Sequence, residues 1–376
     1  MKIALICRHF TLEKGGLEKY TVFLSRALLG KGHEVHVFAN TFMDEPSVVF
    51  HHVPVIPLSL PVKNLSFAFF LEKRFQRETF DIIHSMERTF YQDIFRVSDG
   101  INPVQMQQRY PNPTIRRIKA IGPRRLVLTY LEKKIFLKDG CRAVMTNSKL
   151  IRQNILDHYK INPDKIYVIY NGVDTIRFNP GNKKTFRDPV RASLNILPEE
   201  IVLLFISNDF KLKQLDLILR AMVILKDFFF KLIVIGSGNP VPYQQWAERH
   251  GLKNQLLFLG PQKMIEKYYA ASDIFVLPTL YDAFANVCLE AMASGLPVLT
   301  TNTNGAAELI SDGIQGYVLK TSDAHELADR LVKIRSVSER TRMGMEAAHT
   351  ASAFTSENHL SELLILYDRI RFKKSS

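Results

Sequence analysis

Short apolar runs alternate with segments of helical periodicity along nearly the whole chain, and the alternation restarts once after a polar break. Strands are expected at 2–7, 34–39, 48–57, 81–84, 143–146 and 166–169, with helices at 17–29, 66–78 and 148–159. Past the break, strands at 201–206, 231–235, 256–259, 273–277 and 297–300 alternate with helices at 215–225, 241–250 and 263–271. Helices at 323–334, 339–348 and 357–371 finish the chain. Strands of this kind are apolar on both faces, which fits a parallel sheet covered by helices on each side. At 376 residues the chain exceeds one ordinary core, so two doubly wound α/β domains are expected. The expected division is 1–170, a linker at 171–198, a second domain at 199–355, and a last helix at 356–376.

Composition narrows the setting. With 46% hydrophobic and 23% charged residues the chain is globular. Cys7, Cys141 and Cys288 are odd in number and far apart, which fits neither a disulfide framework nor a metal knuckle. The opening MKIALICRHF has too short an apolar run for a signal peptide, and no run approaches the ~20 residues needed to span a bilayer. A cytoplasmic protein is expected. The formal charge of +13 points to anionic partners.

The stretch Pro278–Thr300 carries the most chemistry: a strand end, a loop holding Asp282, a short helix with Glu290, Gly295, and a further strand. Amides of Ala285, Asn286 and Val287 at the helix start suit a phosphate. A carboxylate one turn further in accepts hydrogen bonds from hydroxyls. Together they fit a diphosphate and a ribose, the halves of a nucleotide sugar. The spacing Asp282, seven residues, Glu290, then Ala-Met-Ala-Ser-Gly-Leu-Pro-Val resembles the donor-site signature of retaining family 4 glycosyltransferases of the GT-B fold. That resemblance implies two Rossmann-like domains facing across a cleft, a UDP-sugar as substrate, and no metal or other cofactor. Relatives most often have Glu where this chain has Asp282.

Other stretches resemble the same family. Gly15-Gly16 follows the first strand, at the edge where α/β sheets bind ligands. Tyr170–Phe178 contains Asn-Gly-Val-Asp, similar to the family's interdomain element. Lys213 resembles its diphosphate lysine. An Arg often found near that lysine is replaced by Leu212, or by the Ser207-Asn208 pair, and Asn208 is placed with the donor residues. His84–Gly100 resembles the matching part of lipopolysaccharide-core glucosyltransferases, which implies that Asp99 orients the acceptor or stabilises the sugar cation; Asp99-Gly100 is equally a turn sequence.

Val104–Arg142 is the most basic stretch, with Arg109, Arg116, Arg117, Lys119, Arg124 and Arg125 among interleaved apolar residues. Such a segment can dock on an anionic membrane face or hold an anionic acceptor, and it can equally be the solvated face of core helices. No nucleic-acid motif accompanies it.

The expected protein is thus a monomeric, peripheral enzyme at the inner membrane face, moving a hexose to an anionic glycolipid by front-face displacement. Lys213, Asp282 and Asp99 are its catalytic candidates. A capsule or exopolysaccharide transferase, a sugar-nucleotide epimerase, and a non-catalytic membrane-binding protein on the same scaffold are the competing readings.

Overall fold

A computed structural model describes residues 1–13, 15–75, 79–138, 140–226 and 228–375. The chain forms two compact units, Met1–Tyr170 with His359–Ser376, and Asn171–Asn358.

In the first unit seven described strands make one parallel sheet: β1 (Lys2–Ile6), β2 (Glu34–Ala39), β3 (Val48–His52), β4 (Ile82–Ser85), β5 (Gln92–Val97), β6 (Cys141–Thr146) and β7 (Ile166–Val168). Their order is β3-β2-β1-β4-β5-β6-β7, a doubly wound sheet that reverses direction between β1 and β4. Helix α1 (Gly16–Gly30) lies on one face with Val22, Leu24 and Leu28 buried. The C-terminal helix Ser356–Ser375 adds Leu360, Leu363, Leu366, Tyr367 and Ile370 to the same core. Helix α2 (Leu60–Phe75) starts six residues earlier than its periodicity suggested, and its expected end at Glu78 lies outside the described residues.

Strand β5 is not evident from sequence, since its first two residues are Gln92 and Asp93 and it contains Arg96. All six of its residues are buried. Its two charged residues are offset by partners from other elements. Asp93 accepts from the Ile83 amide (2.9 Å) and pairs with Arg142 (3.3 Å) and Lys374 (3.2 Å). The Arg96 guanidinium stacks on the Tyr20 ring, 3.7 Å from its centroid. Buried charge is tolerated when paired in this way.

The basic stretch folds as α3 (Asn102–Arg109), α4 (Pro113–Ala120) and α5 (Pro123–Leu137). Helix α5 contributes Leu131, Ile135 and Phe136 to the interior, whereas α4 buries no side chain. The next helix, α6 (Lys149–His158), is capped by the Ser148 hydroxyl, which accepts from the Ile151 amide.

In the second unit the polar stretch 179–198, read from composition as linker, instead contains helix α7 (Asn182–Ser193). Arg187 and Arg191 on α7 fix it by pairing with Asp273 at 2.7 and 2.6 Å, a tertiary contact that composition could not reveal. The sheet has strands β8 (Ile201–Ile206), β9 (Phe230–Ile235), β10 (Leu256–Gly260), β11 (Ile274–Leu277), β12 (Val298–Thr301) and β13 (Gly316–Leu319), in the order β10-β9-β8-β11-β12-β13. It too is parallel and reverses once, between β8 and β11. Helices α8 (Leu215–Ile224), α9 (Val241–Arg249), α10 (Glu266–Ala271), α11 (Asn286–Ala293), α12 (Ala324–Lys333) and α13 (Val337–Ala351) cover it. Among the described residues no helix is long and apolar enough to cross a membrane.

Candidate active site

The reversal between β8 and β11 brings together two loops that are about seventy positions apart in sequence. Ser207–Gln214 follows β8, and Pro278–Ala285 follows β11. Lys213 comes from the first and Asp282 from the second, and their side chains pair at 2.5 Å. The ammonium also donates to Thr279 Oγ1 (3.2 Å) and to the Tyr281 carbonyl (3.4 Å), so its three N–H donors are all engaged. The other Asp282 oxygen accepts from the Phe284 amide at 3.0 Å, which fixes the carboxylate.

Asn304 anchors this arrangement, though nothing in the sequence marked it out. It is buried, its Oδ1 accepts from the amides of Ala285 and Ala306, and its Nδ2 donates to Thr300 Oγ1. The Asp282 amide donates to the Thr303 carbonyl, and Gly305 N–H returns a bond to the Asp282 carbonyl. The Ala285 amide, expected among the phosphate donors, is therefore committed to Asn304 at 3.1 Å. Asn286 and Val287 remain as first-turn amides of α11, which have no partner within the helix itself. Beneath them Cys288 is fully buried, and burial followed by the Asp282 charge pushes its thiol up to about 12, so it stays protonated.

Glu290 lies half-buried one turn into α11. The Tyr269 hydroxyl, from α10, donates to its Oε2 at 2.9 Å. Tyr269 is fully buried, and burial together with the Glu290 charge holds its hydroxyl well above the ordinary phenol range. It is thus a permanent donor that fixes one carboxylate oxygen of Glu290. A lone Tyr in a helical run gave no sign of this role.

Asn208, expected with the donor residues, has its side-chain oxygen engaged within the loops. Its Oδ1 accepts from both the amide (3.1 Å) and hydroxyl (3.0 Å) of Ser237, tying the loop after β8 to the Gly236-Ser-Gly238 loop after β9. Gly236 (φ +138) makes this approach possible, since a Cβ there would lie 1.7 Å from the Ser207 carbonyl oxygen.

In the first unit Gly15 caps α1 in extended conformation, and a Cβ added there would lie 3.2 Å from Glu18 Oε2. No atom outside its immediate surroundings crowds Gly16. Asp99 follows β5 with its side chain 63% exposed, 3.6 Å from Arg88, and Gln105 donates to its backbone carbonyl at 2.9 Å. Gly100 takes φ +85, so the Asp99-Gly100 turn is present as well. Arg88 itself is held by the buried Glu132 at 2.9 Å and by the Gly100 carbonyl. Of the basic residues, Arg109, Arg117, Lys119 and Arg124 are exposed and Arg116 is half-buried. Arg125 turns inward and donates to Asn102 Oδ1 at 2.7 Å, joining α5 to α3. Lys213, Asp282, Asn286, Val287 and Glu290 thus gather in the second unit, while Gly15, Gly16, Asp99 and the basic residues belong to the first. No group of three or more described His, Cys, Asp or Glu side chains could hold a metal.

Residues 14–177 match the model of Glycosyltransferase Family 4, and residues 186–350 that of Glycosyl transferases group 1. The chain is 28% identical over 395 residues to a D-inositol 3-phosphate glycosyltransferase of Geodermatophilus obscurus, covering 94% of this chain and 85% of that one. Among solved structures it is similar to WaaG, a glycosyltransferase involved in lipopolysaccharide biosynthesis, with a TM-score of 0.83 at 20% identity over 98% of this chain and 99% of WaaG. HepE of Anabaena in complex with UDP-glucose aligns with a TM-score of 0.75 at 17% identity, covering 98% and 100%. Two Rossmann-like halves of this kind define the GT-B class. The protein is a glycosyltransferase of that class, its first half matching the family 4 model and its second the group 1 model.

Proposed function

We propose that this enzyme transfers a hexose, glucose in the first instance, from a UDP-sugar to an anionic glycolipid of the lipopolysaccharide-core type, with retention of configuration. The observation that carries the reading is the Lys213–Asp282 pair beside the start of α11, with Glu290 held by Tyr269 one turn on. In this reading the departing diphosphate lies at the Asn286 and Val287 amides and draws Lys213 toward it, which places positive potential where negative charge develops. Glu290 accepts from the ribose hydroxyls, its carboxylate positioned by Tyr269. Asp282, released from part of its pairing, turns to the hexose. The acceptor hydroxyl attacks on the face from which diphosphate leaves, and a phosphate oxygen takes its proton, so no metal is required. Asp99 orients the acceptor. The UDP-glucose bound by HepE and the lipopolysaccharide role named for WaaG support the donor and acceptor classes.

Calorimetric titration with UDP and GDP tests the donor. UDP is expected to bind more tightly than GDP, and Glu290→Ala is expected to weaken UDP by tenfold or more. Tyr269→Phe, which keeps the ring and removes one hydrogen bond of about 1 kcal/mol, is expected to weaken it roughly fivefold. Equal UDP affinity in all three proteins would remove the ribose from Glu290. Transfer of label from UDP-glucose to a core glycolipid, compared with soluble inositol phosphate, tests the acceptor.

Helix α4 supports action at a membrane face. It buries nothing, and Ile118 (61% exposed) and Ile121 (70%) stand out among Arg116, Arg117 and Lys119. Apolar side chains entering the acyl boundary beneath basic heads are the pattern of an interfacial helix. Ile118→Asp is expected to reduce co-sedimentation with phosphatidylglycerol vesicles at least fivefold while leaving UDP binding unchanged. Unaltered co-sedimentation would return α4 to an ordinary solvated surface.

A further inference from the structure

The edge of the second sheet opposite the Lys213 pair carries another concentration of charge. Asp273 stands just before β11, so the length of that strand, roughly 15 Å, separates it from the loop that bears Asp282. Its carboxylate accepts from the Val202 amide at 2.8 Å and pairs with Arg187 and Arg191. Arg340, from α13, brings its Nε to 4.0 Å, too far for a hydrogen bond, and commits one other nitrogen to the Arg335 carbonyl. Lys183, from α7, donates to the Gly295 carbonyl at 3.3 Å and makes no ion pair with any described residue. One carboxylate thus stands among three guanidinium groups and an ammonium.

The nearby acids do not restore the balance. Glu200 is taken by Lys231 (3.2 Å) and by the Leu197 amide (2.8 Å), and Glu199 is exposed at the rim. Burial, then repulsion from Arg187, lowers the affinity of Lys183 for its proton, and burial does the same for Arg340. Clustered cations, partly buried and with unused N–H donors, are stabilised by an anion that accepts several hydrogen bonds at once. Lys183, Arg187 and Arg340, together with Asp273, Glu199 and Glu200, line a cavity of about 310 Å³, at the lower end of the size range of small-molecule sites; Arg191 and Lys231, which pair with Asp273 and Glu200, keep the surroundings cationic.

We propose that this cavity is a second anion site, which binds a phosphate dianion, free or as the terminal group of a small monoester, apart from the sugar-donor site. The dianion lies between Lys183 and Arg340, with Arg187 keeping its bond to Asp273. Three spare donors, two on the ammonium and one or more on Arg340, are enough to hold it.

The test is calorimetric titration of the full chain with inorganic phosphate and with glucose 6-phosphate at constant ionic strength. Millimolar or tighter binding is expected for at least one of them. Lys183→Gln is expected to weaken it three- to tenfold, and Lys183→Gln/Arg340→Gln beyond tenfold. Lys213→Ala is expected to leave it within twofold. Lys183→Gln keeps both arginine bonds to Asp273, and an unchanged melting temperature will verify its fold. Absence of binding by either probe beyond a chloride control, or equal affinity in wild type and both cavity variants, overturns the site. Loss of the binding in Lys213→Ala would assign it to the donor site and overturn it as well.

Discussion

Lys213→Ala is expected to lower kcat for sugar transfer by about 10²–10³, the usual cost of removing a fixed electrostatic donor at a developing negative charge. The residue is held on three acceptors, Thr279 Oγ1, the Tyr281 carbonyl and Asp282. Alanine would remove the only side-chain cation paired with Asp282 among the described residues and leave that half-buried carboxylate without its counter-charge. Lys213→Arg should rescue less than a tenth of the loss. A planar guanidinium cannot match three acceptors arranged around a compact ammonium. Steady-state kinetics with UDP-glucose and acceptor measure both variants. A kcat within threefold of wild type for Lys213→Ala would mean that the α11 amides alone handle the leaving group.

The largest effect on stability is expected at Gly236. An alanine there would place its Cβ 1.7 Å from the Ser207 carbonyl oxygen, a backbone atom that cannot swing aside, at φ +138. Strain and displacement together should cost at least about 3 kcal/mol. For a unit of this size that corresponds to a fall in melting temperature of roughly 6–12 °C. Because Asn208 bridges the same two loops through Ser237, the variant should also lose UDP affinity in proportion to the loop displacement. Gly251→Ala is the useful comparison. It too has a positive φ (+77), but its added Cβ would meet no atom within 4 Å. Its melting temperature should fall by less than half as much; an equal fall in both would show that backbone conformation, not loop contact, sets the cost.

The chemistry of Pro278–Thr300 could be read from the chain because it is local. A strand, an Asp, a helix start and a Glu one turn later follow each other directly, and spacing along a helix fixes which groups share a face. Lys213 was recognisable only by resemblance, since a single lysine in a loop carries no signal by itself. Its pairing with Asp282 arises where the sheet order reverses, and strand order is a property of long-range pairing. Asn304 and Tyr269 had no signature at all. Their roles depend on buried side chains reaching amides and a carboxylate brought near by neighbouring elements.

The same division runs through the fold. Alternating apolar runs and helical periodicities determined two parallel, helix-covered sheets, because burial on both faces demands that pattern and little else satisfies it. Where polar residues interrupt the pattern, the sequence by itself misled. Gln92 and Asp93 open a central strand because the Gly140 carbonyl and Thr89 hydroxyl satisfy the first and Arg142, Lys374 and the Ile83 amide the second, and residues 182–193 form a helix because Arg187 and Arg191 reach Asp273. Hydrophobic burial is a sum over local composition and can be read from the chain. Compensation of a buried charge is a pairwise matter between distant residues, and only the tertiary structure brings those partners together.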